Sequence, residues 1–467
     1  MGPDERLPYF VGLCEAAYSR RKWIVAMDVL PATTGVVGWL KRLGADSALV
    51  IAAARGVGEE PDPEFAPDPI VLGVEGEDMM SSIRRSLDAF ANVGADVAAR
   101  IDAFDPAGEA RVIGAMFDDG RPTGMRQKYG ARPQQWQALE DKTIVDALWD
   151  AAGVVRALSA VVPLDDEQAL RESQARLDAG VGTVWAADMR SGFHGGASFV
   201  RRVRNEAEAE AARTGFAPCA DRVRVMPYLE GIPCSIHGIV LPDFVAVLRP
   251  CEMIVFGRPD GTFLYGQVDT FWDPPDSDRA VMRDTARHVG RHLRETLGYR
   301  GAFTIDGVLT AEGFLPTELN PRFGAALNTQ GRSVDLPLLL LNFAIVESEP
   351  FDWCGPELEA LLLEAADRDR SGRTMAVVSR RITEAIPEVS LVVDGLHVRR
   401  AEDGEEPAAT LVVGPHSAGG IVLVKFSEKQ TPVGPSLAPR AAAVLAWADT
   451  EWNLGIGVLA PAVATRS

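Results

Sequence analysis

Hydrophobic positions in the first 135 residues follow two alternating periods. KWIVAMDVL, DSALVIAAA, PIVLGVEG and ARVIGAMF are short, nearly continuous apolar runs of strand length. Between them, TTGVVGWLKRLG and MMSSIRRSLDAFANVGADVAARIDAF carry helical spacing. Apolar runs without polar alternation suit strands covered on both faces, and strands interleaved with helices favour a parallel, doubly wound sheet. PDPEFAPDP, residues 61–69, predicts a surface connection.

From about residue 136 the texture changes. LEDKTIVDALWDAAGVV predicts an amphipathic helix closing at Gly153, and TVWAADM a short strand ahead of the glycine-rich SGFHGGAS. RVRVMPYLEG, CSIHGIVL, FVAVLRP and EMIVFG predict successive antiparallel strands, and SDRAVMRDTARHVGRHLRETLG a long helix. GAFTIDGVLT and GFLPTELNP read as two strands around an AEG turn. Beyond about 371, TMAVVSRRI, VSLVVDGLHVRR, ATLVVG, GIVLVKF and the helix APRAAAVLAWADTEWN make a small α+β appendix. The expected division is 1–135, 136–370 and 371–467, an α/β region followed by two α+β regions.

Composition narrows the function classes. A formal net charge of −19 argues against a nucleic-acid or anionic-membrane partner. The five cysteines are dispersed with no CxxC pair, so reduced thiols and a cytoplasmic location are expected, not disulfides or a zinc site. The start, MGPDERLPYF, lacks a basic stretch followed by an apolar run, and LPLLLLNFAIV is too short to span a bilayer. Of the 47 basic residues only six are lysine, and none of these falls between 143 and 424. Chemistry that needs a cation in that stretch therefore falls to arginine.

The most informative stretch is GAFTIDGVLTAEGFLPTELNPRFG. Two adjacent strands would set Asp306 near Glu318, and Glu318 and Asn320, two apart, emerge on one face. Such hard oxygen donors suit magnesium, with phosphates completing its octahedron. Arg322, in the same alternating register, would stabilise charge on a transferring phosphoryl group or clamp a carboxylate.

TELNPRFG, with Asp306 twelve residues before Glu318, resembles the magnesium strand pair of the ATP-grasp superfamily. Three further pieces occur in that superfamily's order. ALEDKTIVDALWDAAGV resembles the segment bearing the first phosphate-binding lysine, here Lys142 at a helix start. SGFHGGAS resembles the glycine loop over the nucleotide phosphates, and VRVMPYLEG the hinge that pairs with adenine. The resemblance implies an ATP-grasp fold over about 136–350, preceded by a parallel α/β domain.

The resemblance also implies roles. Asp306, Glu318 and Asn320 would hold magnesium, two ions in all, and Arg322 would be catalytic. Lys142, Gly192, Gly195, Gly196, Met226, Tyr228, Leu229 and Glu230 would bind ATP, with His194 donating a hydrogen bond or simply exposed. Pro227 has no N–H, so the adenine contact falls to Tyr228 or Leu229. Two departures stand out. The second phosphate lysine expected on the strand before the glycine loop is replaced by Ala186 and Ala187, leaving Arg190, Arg249 or Arg258 to supply charge, the last two also as substrate contacts. A ribose-holding carboxylate beyond the hinge falls near Pro233.

The implied activity is phosphorylation of a carboxylate by ATP, then displacement of phosphate by an amine to give an amide. The long N-terminal region, the ALEDK junction and the C-terminal appendix resemble the peptide-forming ligases of natural-product pathways, pheganomycin-type ligases among them. Partners would be small-molecule or peptide acids and amines, and a homo-oligomer is compatible. A carrier-protein thiol as acceptor and a non-catalytic nucleotide-binding homologue are the alternatives.

Overall fold

The computed structural model describes residues 1–115, 117–188, 190 and 197–462, and the strands among them form four sheets. The first is parallel, built from Lys22–Val29, Ser47–Ala54, Ile70–Val71 and Arg111–Ile113. Lys22–Val29 lies between Ser47–Ala54 and Arg111–Ile113, so the winding direction reverses beside it and a crevice opens at the C-terminal ends of the strands.

Two expectations in this region change. PIVLGVEG shrinks to the two-residue strand Ile70–Val71. The helical stretch beginning MMSSIRR is two helices, Met79–Ala91 and Ala95–Phe104. The Asn92 side chain donates to the Asp88 carbonyl at 2.9 Å, taking an acceptor the next turn would use, and Gly94 opens the second helix. A helix that the pattern did not predict, Pro3–Tyr18, begins with proline in its first turn and the Gly2 N–H donating to Glu5. Its buried Phe10, Cys14, Ala17 and Tyr18 meet the helices Leu338–Val346 and Gly355–Arg368, so the N-terminal sheet and residues near 325–365 share one core.

The second sheet has seven strands and carries the site. Its main path runs Phe263–Asp269, Cys251–Gly257, Ile232–Val240, Gly301–Thr310, Gly313–Asn320. The helix Asp276–Leu297 packs Met282, Ala286, Val289 and Leu293 against Ile236, Phe303 and Ile305, and ends at Gly298 in the left-handed conformation, φ 59°. Arg222–Pro227, the first of the run of strands expected at 222–257, lies outside this sheet. It belongs to a separate four-stranded sheet with Ala160–Pro163, Thr183–Ala187 and Val200–Val203. The chain crosses between the two sheets at 228–231, where Gly231 (φ 149°) lies so close to the 301–310 strand that a Cβ would sit 2.2 Å from the Leu309 carbonyl oxygen.

In the C-terminal five-stranded sheet, VSLVVDGLHVRR is not one strand but a hairpin, Ile386–Asp394 and His397–Arg400, turned at Gly395 with φ 58°. Helix Ala438–Trp452 covers this sheet, and their common core reaches Ile254 and Phe256 of the seven-stranded sheet and Phe271 just beyond its Phe263–Asp269 strand. The chain then returns: Ala460–Pro461 pairs with Phe256 and Gly257. Among the described residues no helix is long and apolar enough to cross a membrane.

Candidate active site

The 301–310 strand pairs antiparallel with Ile232–Val240 on one side and Gly313–Asn320 on the other. Gly307 faces Pro316, whereas Asp306 faces Glu318, so Thr317 is the extra residue of a β-bulge. The bulge resets the alternation of the outer strand. Ser235, Asp306 and Glu318 form one rung, and His237, Thr304 and Asn320 the next. Cross-strand partners project to the same face. Six polar side chains therefore cover one patch of the sheet, and all six line a cleft of about 440 Å³. The opposite wall comes from the four-stranded sheet through Val184, Ala186, Val200 and Met226.

Hydrogen bonds tie the patch together. Asn320 Nδ2 donates to Asp306 Oδ2 at 2.8 Å, and Arg322 donates to Asn320 Oδ1 at 2.7 Å. Lys142 Nζ lies 2.9 Å from Glu318 Oε1, with its side chain 3% exposed. Behind them Glu140 accepts from Arg132 at 2.8 Å and lies 3.3 Å from Arg322 Nε. The Arg322 guanidinium also stands over the Phe117 ring, 4.8 Å from its centroid.

Burial, and then the facing Glu318, push the Asp306 carboxyl up to about 7, although Arg322, Lys142 and the Asn320 amide oppose this. Burial acts on Glu140 too, but Arg322 and Arg132 outweigh it and hold that carboxyl below its ordinary value. His237 is pushed down to about 3 by burial, and its two ring nitrogens each lie 3.0 Å from a hydroxyl, of Ser235 and Thr304. A neutral imidazole is thus part of the wall.

Two carboxylates and an amide on adjacent rungs form a hard oxygen set, and the burial that raises Asp306 disfavours its bare charge, which a divalent cation would stabilise. The set fits magnesium with phosphate oxygens as further ligands. No group of three or more His, Cys, Asp or Glu side chains placed to hold a metal occurs among the described residues.

Lys142 precedes its helix and does not begin it. The helix is Val145–Ala151, and Asp141 bonds both the backbone N–H and the hydroxyl of Thr143, holding the chain in a turn. Met226, Tyr228 and Leu229 line the cleft at the crossing between sheets, but Glu230 is exposed and does not. The Tyr228 N–H donates to the Gly182 carbonyl at 3.1 Å and is thereby engaged within the four-stranded sheet.

The proposed substitutes for the second lysine fall elsewhere. Arg190 pairs with Asp221 at 2.6 Å and caps carbonyls after the helix Glu206–Phe216, clear of the cleft lining. Arg249 is buried between Asp273 and Asp367, and Arg258 sits at the turn closed by Thr262; neither lines the cleft. Ala186 does line it, and its cross-strand neighbour is Arg224. That guanidinium is fully buried and committed to Asp146, at 2.7 and 3.0 Å, and to the Thr317 carbonyl. Gly192, His194, Gly195 and Gly196 lie outside the described residues.

Sequence reasoning passed over Glu140, Ser235, His237 and the N-terminal wall of the cleft, Met80, Ile83 and Phe117. Ser235 and His237 were legible as an i, i+2 polar pair inside an apolar strand. The Met80 wall had no local signal.

These strands and this cleft define an ATP-grasp fold with an N-terminal parallel α/β domain and a C-terminal α+β appendix. The chain is similar to biotin carboxylase from Campylobacter jejuni, solved as a β-γ-ATP complex, with TM-score 0.56, 13% identity, 89% of this chain and 90% of that one. It is similar to an N5-carboxyaminoimidazole ribonucleotide synthetase in its ADP complex (TM-score 0.50, 13% identity, 93% and 98% covered). A third likeness is the biotin carboxylase domain of the Hydrogenobacter thermophilus 2-oxoglutarate carboxylase, bound to MgADP and bicarbonate (TM-score 0.50, 12% identity, 87% and 86%). No sequence profile of a known family matches the chain, and no curated protein matches its sequence.

Proposed function

We propose that the protein is an ATP-dependent carboxylate–amine ligase. The observation that carries this reading is the two-rung patch: Asp306, Glu318 and Asn320 on adjacent strands, with Lys142 and Arg322 bonded directly to it. Adenine would stack in the crossing between sheets against Met226 and Leu229, with the Leu229 amide toward the base. Magnesium would screen the phosphate charges so that a weak nucleophile can approach. Lys142 would bind a phosphate oxygen, exchanging part of its contact with Glu318. Arg322, steadied by Glu140 and Phe117, would hold the acid's carboxylate toward the γ-phosphate.

The carboxylate oxygen attacks the γ-phosphorus and ADP leaves, giving an acyl phosphate. An amine then attacks the acyl carbon, phosphate departs with the bonding pair, and the amine gives up one proton. Resemblance to peptide-forming ligases makes the amine acceptor and a role in natural-product assembly part of this reading; a carrier-protein thiol is the competing acceptor. Protein, ATP, magnesium and a panel of acids with hydroxylamine should yield hydroxamate and equimolar ADP. Absence of both across a broad panel overturns the reading.

A further inference from the structure

This inference rests on the ligase reading and concerns which acid it takes. Among the described residues the cleft is lined by only four charged side chains, Lys142, Asp306, Glu318 and Arg322. All four belong to one network at the phosphate end, where the cations already face acids: Lys142 faces Glu318, and Arg322 faces Glu140. The rest of the lining is uncharged. Ser235, His237, Thr304 and Asn320 lie beside the charged network, and Tyr265 and Gln267 also line the cleft. Most of the other residues, Met253, Val268, Ala325 and Ala326 among them, are apolar.

One part of this wall belongs to none of the large cores. Met80, Ile83 and Leu87, on one face of the Met79–Ala91 helix, form a small cluster of their own with Phe117. Met80, Ile83 and Phe117 line the cleft. They approach from the N-terminal α/β region, whose parallel sheet changes winding direction between Lys22–Val29 and Arg111–Ile113. Phe117 also carries the Arg322 guanidinium over its ring. A single aromatic side chain thus joins the cation that would grip a carboxylate to an apolar surface beside it.

We infer that the acid substrate carries an apolar aliphatic or aromatic side chain, seated on Met80, Ile83 and Phe117 while Arg322 holds its carboxylate, and that phosphorylated or acidic side chains are excluded. A second anion there would be desolvated without a counter-charge of its own, which is unfavourable. An apolar group gains by leaving water, and methionine adapts to its shape.

The test is calorimetric binding of leucine, phenylalanine, aspartate and O-phosphoserine to the full chain with magnesium and a non-hydrolysable ATP analogue, in parallel with the hydroxamate assay. Leucine and phenylalanine should bind at least ten-fold more tightly than aspartate and O-phosphoserine. Ile83→Lys should reverse that order for aspartate, an effect that general loss of structure would not produce, and circular dichroism reports whether the variant is folded. A milder change, Ile83→Gln, should narrow the ratio. Equal or tighter binding of O-phosphoserine by the unaltered protein overturns the inference, as does an Ile83→Gln variant with an unchanged ratio. Selective binding of apolar acids with no hydroxamate from any acid leaves the inference standing and overturns the ligase reading instead.

Discussion

The seven-stranded sheet holds two pairs of facing carboxyls, and they do opposite things. Asp306 and Glu318 oppose each other across one ladder, Glu252 and Asp269 across another. Asp306 and Glu318 line the cleft, with Lys142 and Arg322 drawn to the same patch. Glu252 and Asp269 are 0% exposed. Glu252 accepts from the Ser436 hydroxyl and, at 2.7 Å, from the Leu437 N–H, while Asp269 Oδ1 accepts the backbone N–H groups of Phe271 and Trp272. Burial and the neighbouring Glu252 raise the Asp269 carboxyl well above the usual carboxylate range, so this pair retains a proton. It fastens the start of the C-terminal helix to the sheet. Two carboxyls facing each other do not by themselves mark an active site; access and the type of neighbour separate a cation site from a proton-sharing clamp.

The comparison breaks most sharply at the cleft. Asp306→Asn should lower ATP-dependent hydroxamate formation about 10²-fold or more while leaving the melting temperature unchanged or higher, because burial and the facing Glu318 both disfavour its charge. Glu318→Gln should lower activity as far but also cost stability, by removing the carboxylate paired with the buried Lys142. Equal losses of activity and stability in Asp306→Asn would make that residue structural as well. Glu252→Ala should do the reverse. With the Ser436 hydroxyl and the Leu437 amide left unpaired, unfolding stability should fall by about 2–4 kcal/mol in urea titrations, with turnover per folded molecule retained.

Acidity sharpens the contrast. Because the folded value of Asp269 is raised, its contribution to stability is complete below about pH 4 and disappears as pH rises through that folded value. Urea midpoints measured from pH 5 to pH 9 should fall for the natural protein and stay flatter for Asp269→Asn. A smaller effect tests what steadies Arg322: Glu140→Gln should lower kcat about ten-fold, roughly 1.4 kcal/mol in the barrier, and relax the Arg132–Glu140–Arg322 contacts. Least of all, Arg190→Ala should shift stability by about 0.5–1 kcal/mol and the KM for ATP less than two-fold, because its guanidinium is spent on Asp221 and on carbonyls after a helix. A large rise in that KM would return Arg190 to the nucleotide.

Much of this was legible in one dimension. Asp306, Glu318 and Asn320 are close in sequence, on two strands joined by a short turn, so spacing alone brings them together. Arg322 instead lies past the strand end, in a bend where its N–H donates to the Asn320 carbonyl at 2.8 Å, and not in the alternating register expected of it. The parallel sheet was legible because its strands are unbroken apolar runs. Where Arg190, Arg249 and Arg258 sit was not legible, because a cation's charge can be read from sequence but its partner cannot: Asp221 is 31 residues from Arg190, and Asp367 is 118 from Arg249. Sheet membership at 222–240 was not legible, because two strands separated by a short crossing look alike whether they share a sheet or not.

Local pattern and spacing thus determined the fold class, the order of the elements and the group of oxygen donors, since each depends on residues within a hairpin or a helical turn. The tertiary structure decided the rest. The Thr317 bulge sets which face Glu318 takes, and the approach of the Val145–Ala151 helix to the Arg222–Pro227 strand commits Arg224 to Asp146. Only when the N-terminal region docks do Met80, Ile83 and Phe117 come to line a cleft whose acids lie more than two hundred residues along the chain from Ile83. These are long-range contacts, whose free energy depends on what the whole chain buries, and no local window contains it.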